Sequence, residues 1–233
     1  MKILVIADIH ANWPALAAIR ESFDVYLCAG DLVDYATDPV PCIEWVRKRA
    51  LACVRGNHDH AVAQRVAVRA GNGLRTLTAA TRAIHWKVLG PSQNRYLAKL
   101  PVTKYVTIEG VRFLLVHGTP RDPLDEYLTA DAAAWTARLT GVDVDFVCVG
   151  HTHIPFHLQL GKTSVVNPGS VGQPRDGDPR CSYAVIENGV VEIRRVEYDI
   201  DATLRQMREC GIDDDVLRIG ELMLRTGGIL MES

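Results

Sequence analysis

The 233-residue sequence contains no apolar run approaching the roughly 18 to 20 residues that cross a bilayer, which excludes an integral membrane protein built on helices. Neither sign of charge dominates. With 26 Lys+Arg against 28 Asp+Glu the formal net charge is −2, so no extended nucleic-acid surface is expected, since such surfaces release counterions through clustered Lys and Arg. The six cysteines, Cys28, Cys42, Cys53, Cys148, Cys181 and Cys210, include no CxxC pair, and several lie in apolar strand-like runs, as buried free thiols do. Met1 to Ala7 lacks the charged start, longer apolar stretch and small-residue cleavage site of a signal peptide, so a cytoplasmic location is expected. Repeats, low-complexity tracts and linkers are absent as well. A hydrophobic content of 48% is too high for a disordered chain, and the length suits one domain over residues 1–233.

What the sequence does contain is alternation. Apolar runs at Lys2 to Ala7, Val25 to Ala29 and Leu51 to Val54 are each followed by a helical pattern, at Pro14 to Ser22, Pro39 to Ala50 and His60 to Ala70. This is the signature of βα units covering a sheet with helices. Residues 71–100 read as two helical stretches broken at Gly90-Pro91, packed on the sheet or forming a partial lid. Further strands are expected at Tyr105 to Ile108, Val111 to Val116 and Val144 to Val149, with a helix around Asp131 to Leu139. Gly161-Lys162 and Asn188-Gly189 then mark hairpins, and Asp201 to Cys210 and Asp213 to Thr226 read as closing helices. The fold class is α/β with mixed sheets.

The residues that follow the strands carry the chemistry. The first run leads into Asp8-Ile9-His10, the second into Gly30-Asp31, the third into Gly56-Asn57-His58-Asp59, and later runs into His117-Gly118 and Gly150-His151-Thr152-His153. Ligands bind outside the carboxyl ends of strands in open α/β sheets, so these side chains are expected to converge. Two Asp, one Asn and four His form a mixed oxygen and nitrogen donor set without thiolate, which suits Mn²⁺, Fe, Zn²⁺, Co²⁺ or Ni²⁺ better than Ca²⁺ or Mg²⁺. Mn²⁺ is the first expectation. Seven donors exceed the needs of one catalytic ion, whereas two divalent ions about 3.5 to 4 Å apart sharing a carboxylate would use the whole set. The residues alone leave His58 open to three readings: an acid, an eighth ligand, or a support for the ligands.

With these five motifs in this order, the sequence resembles the calcineurin-like metallophosphoesterase superfamily. Gly30-Asp31-Leu32-Val33-Asp34-Tyr35 with Asp38-Pro39, and Asn167-Pro168-Gly169-Ser170-Val171-Gly172-Gln173-Pro174-Arg175, are similar to its small bacterial and archaeal phosphoesterases. The resemblance implies a four-layer α/β/β/α sandwich of two mixed sheets. It implies one ion on Asp8, His10, Asp31 and His153, another on Asp31, Asn57, His117 and His151, and in-line attack by a bridging hydroxide. It further implies that His58 protonates the leaving oxygen, with Asp59 orienting its ring.

Around that centre, Asn12, Arg175 and Tyr35 are the candidate substrate contacts, Asn12 having the competing role of a helix N-cap. Asp34 and Asp38 read as turn and helix-start residues, and His60, His85 and His157 as surface or packing histidines. Ala11 stands where the small phosphoesterases commonly have Gly, so its loop must keep φ negative or accept strain. The implied function is hydrolysis of small phosphate esters, diesters first. Phosphomonoesters are the alternative, and protein phosphatases are disfavoured by Val33-Asp34-Tyr35-Ala36 where they carry Arg. A scaffold of the same fold is disfavoured because His58 is present. Self-association rests only on how common homo-oligomers are.

Overall fold

Alternate side chains of the first strand enter two different cores. In β1 (Lys2–Ile6), Ile3 and Val5 belong to one apolar cluster and Leu4 and Ile6 to another, and all four are buried. A strand buried on both faces belongs in the middle of a layered α/β structure. The computed structural model, which describes residues 1–69 and 71–228, places it there. β1 pairs in parallel with β2 (Val25–Cys28), which pairs in parallel with β3 (Ala52–Cys53). On its other side β1 runs antiparallel to β9 (Cys181–Glu187), the partner of β10 (Val190–Val196), so the sheet order is β10-β9-β1-β2-β3. Asn188 and Gly189 join the last two with φ of 52° and 78°, the left-handed pair that a two-residue hairpin turn needs.

The second sheet contains β4 (Thr103–Ile108), β5 (Val111–Val116), β6 (Phe146–Cys148), β7 (Phe156–Leu160) and β8 (Thr163–Asn167), in the order β4-β5-β6-β8-β7. Its central strands β5, β6 and β8 are parallel and its edges antiparallel. Ile3, Val5 and Leu27 of the first sheet pack with Phe113, Leu115 and Val166 of the second. Helices α1 (Trp13–Ala17), α2 (Pro39–Arg49), α3 (Asn57–Ala63) and α5 (Pro91–Lys99) share the core on the outer face of the first sheet, with Leu16, Ile43, Val62 and Leu97. Trp135 of α6 (Ala132–Arg138) packs with Leu114, Val116 and Val147 on the outer face of the second. The layers are therefore helix, sheet, sheet, helix, as the resemblance implied.

Residues 71–100 are helical as read, forming α4 (Leu74–Val88) and α5 with Gly90-Pro91 between them. Leu77 of α4 packs in a separate cluster with Leu204 and Met207 of α7 (Ile200–Glu209) and Leu217 and Leu224 of α8 (Asp214–Thr226). Two elements differ from expectation. Helix α1 stops at Ala17 instead of Ser22, and α3 spans Asn57–Ala63 instead of His60 to Ala70. The Asp59 carboxylate accepts the Gly56 N–H and starts α3 earlier, while Arg65, with φ of 57°, follows its end. Ala70 and residues 229–233 lie outside the described residues. No described helix is long and apolar enough to cross a membrane. Five cysteines are buried and Cys210 is exposed.

Candidate metal centre

The chain endings singled out in the sequence meet at one edge of the sandwich. Asp8 and His10 follow β1, Asp31 follows β2, and Asn57 opens α3 just after β3, all from the first sheet. His117 follows β5, and His151 and His153 follow β6, from the second. Their donor atoms form two groups, Asp8 with His10 and His153, and Asp31 with His117 and His151, each with all ligand atoms within 4.8 Å of one another. Asn57 Oδ1 lies 3.1 Å from His117 Nε2 and so joins the second group. Asp31 Oδ2 is buried between the two groups, 3.1 Å from His117 Nε2 and 3.8 Å from His10 Nε2.

Three imidazoles are anchored from behind. Nδ1 of His10, His117 and His153 donates to the carbonyls of Val33 (2.8 Å), Ala29 (2.8 Å) and Gln173 (2.6 Å). Since a carbonyl can only accept, Nδ1 carries the hydrogen and Nε2 presents its lone pair in the neutral ring. The Nε2 atoms of His10 and His153 then face each other at 3.1 Å, an arrangement that a cation between them would relieve. Burial lowers His10 to about 3 and His151 to about 4, and pushes His153 well below the usual range, so all three are neutral and ready to ligate. For His117 burial acts in the same direction, but Asp31 and then Asp8 outweigh it and raise the ring to about 9. Burial, with Asp31 nearby, raises Asp8 to about 7. The site thus concentrates acceptors that need a positive charge, and the residues fit a pair of divalent ions.

The backbone is strained around this edge. Asp8, His10, Ala11, Asp31, Asp34, Tyr35, His151 and His153 all take φ between 49° and 68°, at a cost on the order of 1 to 3 kcal/mol each. Ala11 accepts strain with φ of 52°, held by its N–H to the Leu32 carbonyl (2.9 Å) and by its own carbonyl, which accepts the Asp38 N–H (3.0 Å). Gly56 is required for a different reason. A Cβ there would stand 2.0 Å from Asp31 Oδ1.

His58 sits beside the centre, its ring centroid 5.0 Å from that of His10. Its Nδ1 bonds to Asp34 Oδ2 at 2.7 Å, which corrects the expectation that Asp59 orients the ring. Successive residues of a helix do not face each other, and the Asp59 carboxylate is occupied by the backbone N–H groups of Asp31 (2.9 Å), Leu32 (2.8 Å) and Gly56 (3.0 Å). Burial opposes charge on His58, but Asp31 and Asp34 outweigh it and raise the ring to about 10. Asp34 is fully buried rather than a plain turn residue. Its carboxylate accepts from Arg82 Nε at 3.1 and 3.3 Å and from Arg82 Nη2, and burial is outweighed by His58 and Arg82 so that it stays below its usual range. His85 is a buried packing histidine, as read, accepting the Asp34 N–H at 3.1 Å and donating to the Ala36 carbonyl at 2.9 Å.

Of the substrate-contact candidates, Tyr35 and Arg175 are at the centre and Asn12 is not free to serve there. The Tyr35 ring lies 4.6 Å from His10 and 4.9 Å from His58, with the Arg175 guanidinium 5.5 Å above it. Arg175 Nη2 donates to Gln173 Oε1 at 2.8 Å, and its buried Nε has no partner among the described residues. Asn12 is fully buried and committed: Oδ1 accepts from Ala15 N (3.2 Å) and Thr203 Oγ1 (2.8 Å), and Nδ2 donates to the Gly172 carbonyl (2.9 Å) and to Tyr198 (3.3 Å). It is the N-cap of α1. Asp38 starts α2, as read. Tyr127, unremarked in the sequence, stands 51% exposed with its ring 5.5 Å from His151 and its hydroxyl donating to the Thr152 carbonyl at 3.0 Å.

The family model described as the calcineurin-like phosphoesterase superfamily domain matches residues 1–189. An uncharacterized protein of Methanocaldococcus jannaschii is 33% identical over 223 residues, covering 85% of this chain and 88% of that protein. Phosphodiesterase YfcE of Escherichia coli is 27% identical over 208 residues, covering 83% and 91%. The crystal structure of a metallophosphoesterase from Sphaerobacter thermophilus superposes with a TM-score of 0.82 at 33% identity, covering 97% of this chain and 99% of that one. Two sheets that bring this donor set to one edge, and a matching family model over most of the chain, give the same answer: the chain belongs to the calcineurin-like phosphoesterase superfamily and is a metallophosphoesterase, a hydrolase of phosphate esters.

Proposed function

We propose that this chain hydrolyses small phosphodiesters at a centre of two divalent ions, Mn²⁺ being the expected metal. Asp8, His10, Asp31 and His153 would hold one ion and Asp31, Asn57, His117 and His151 the other. The observation that carries this reading is the buried Asp31 Oδ2, which lies between the two donor groups, 3.1 Å from His117 Nε2 and 3.8 Å from His10 Nε2, with three of the four imidazoles anchored from behind by backbone carbonyls. When bound, two such ions supply an activated water at neutral pH and neutralise charge on the phosphoryl oxygens. Against the two carboxylates they leave a net charge of about +2, which selects an anionic group.

The remaining work falls to the protein. Asp34 accepts a hydrogen bond from His58 Nδ1–H and so turns Nε2–H toward the leaving oxygen, to which the imidazolium gives its Nε2 proton as the ester bond breaks, leaving a neutral ring still bonded to Asp34. Arg175, whose Nε has no partner among the described residues, meets a phosphoryl oxygen, and Tyr35 forms the wall on which the guanidinium rests. Similarity to a protein named phosphodiesterase favours diesters over monoesters.

The test is hydrolysis of a nitrophenyl phosphodiester and the matching monoester by protein stripped of metal and reloaded with Mn²⁺. Faster diester turnover is expected. Preference for the monoester would make the chain a phosphomonoesterase, and activity that survives complete metal removal would overturn the two-ion reading.

A further inference from the structure

We infer that Arg82, on α4, is a positioning residue for this hydrolysis: it fixes Asp34, which in turn fixes His58. The inference rests on the reading of His58 as the proton donor. Arg82 is only 6% exposed, and its guanidinium reaches both oxygens of Asp34, through Nε at 3.1 and 3.3 Å and through Nη2, while Nη1 donates to the Val66 carbonyl at 3.1 Å. Asp34 Oδ2 therefore serves Arg82 and His58 together. A carboxylate bonded to the imidazole alone is free to rotate about its own axis, whereas the planar fork of an arginine sets the carboxylate plane and with it the direction of the His58 bond.

The same face of α4 holds the backbone of that turn. Thr81 Oγ1 accepts the Tyr35 N–H at 3.0 Å and His85 Nδ1 accepts the Asp34 N–H at 3.1 Å, where the two residues have φ of 62° and 68°. Residues 81, 82 and 85 fall on one side of a helix, so α4 grips the strained turn by both its backbone and its side chain. The helical segment thereby positions the proton donor through this turn, with no hydrogen bond to the metal-ligand side chains among the described residues.

The test is a series of methyl aryl phosphates whose leaving groups differ in pKa, turned over by the Mn²⁺-loaded enzyme. Arg82→Lys keeps the buried charge and loses the fork. It is expected to lower kcat/KM about 10- to 100-fold for poor leaving groups and less for nitrophenyl, steepening the dependence on leaving-group pKa while two ions per chain remain bound. Where Arg82→Lys does not fold, Arg82→Gln is measured in its place. His58→Gln gives the reference slope, and the double variant is expected to be no steeper than His58→Gln alone. A uniform loss across the series in Arg82→Lys, beside a steepened slope in His58→Gln, overturns the role of Arg82 and leaves that of His58 standing. An unchanged slope in His58→Gln overturns both.

Discussion

Asp34 Oδ2 stands 2.7 Å from His58 Nδ1, while Asp59, the next residue along the chain, bonds only backbone N–H groups. The two carboxylates therefore separate cleanly by experiment. Asp34→Asn is expected to cost activity, about 10- to 100-fold in kcat for esters with poor leaving groups. Asp59→Asn is expected to cost stability, about 1 to 3 kcal/mol in urea unfolding, because one of the two oxygens that accept buried N–H groups becomes an NH2 donor. Equal catalytic loss in both, with equal stability, would reverse the assignment.

Asp31 and His153 are predicted to differ in how many ions their loss removes. Asp31 lies between the two donor groups, whereas His153 belongs to one. Asp31→Asn should therefore lower the bound Mn²⁺ at both positions, and His153→Ala should leave about one ion per chain, consistent with the shared-carboxylate arrangement. Metal content by mass spectrometry after reloading reads this directly, and two tightly bound ions in Asp31→Asn would contradict it.

Gly56→Ala is expected to act on the metal rather than on a turn. Gly56 has no left-handed φ to protect, and the added methyl would meet Asp31 Oδ1 at 2.0 Å. Displacing that carboxylate should reduce both metal content and turnover, with the far-ultraviolet circular dichroism spectrum retained. A variant that binds two ions with native affinity would show that Asp31 moves aside at no cost.

The strand ends were legible because each motif is local: a run of apolar residues, then a turn, then a ligand. Alternation of apolar runs with helical patterns and the Asn188-Gly189 turn likewise point to mixed sheets covered by helices. The role of Asp34 is not legible in the sequence because it depends on Arg82, 48 residues away, and no spacing rule joins them. The resemblance pairs Asp59 with His58, whereas the helical geometry of α3 turns neighbouring side chains roughly 100° apart. Asn12 offered two roles in the sequence, and only burial against Thr203 and Tyr198 separates them. Tyr127 lies in a segment with no periodic pattern, where sequence has no lever on position.

Each donor group takes residues from both sheets, Asp8 and His10 with His153 in one, Asp31 with His117 and His151 in the other. Ions held there would act as rivets through the sandwich, and separating the layers would first require releasing them. Cohesion of the two halves would then become a function of metal supply, rising by about 2.7 kcal/mol per site when free metal stands at 100 times its dissociation constant. A cell short of metal would hold a looser protein as well as an idle one.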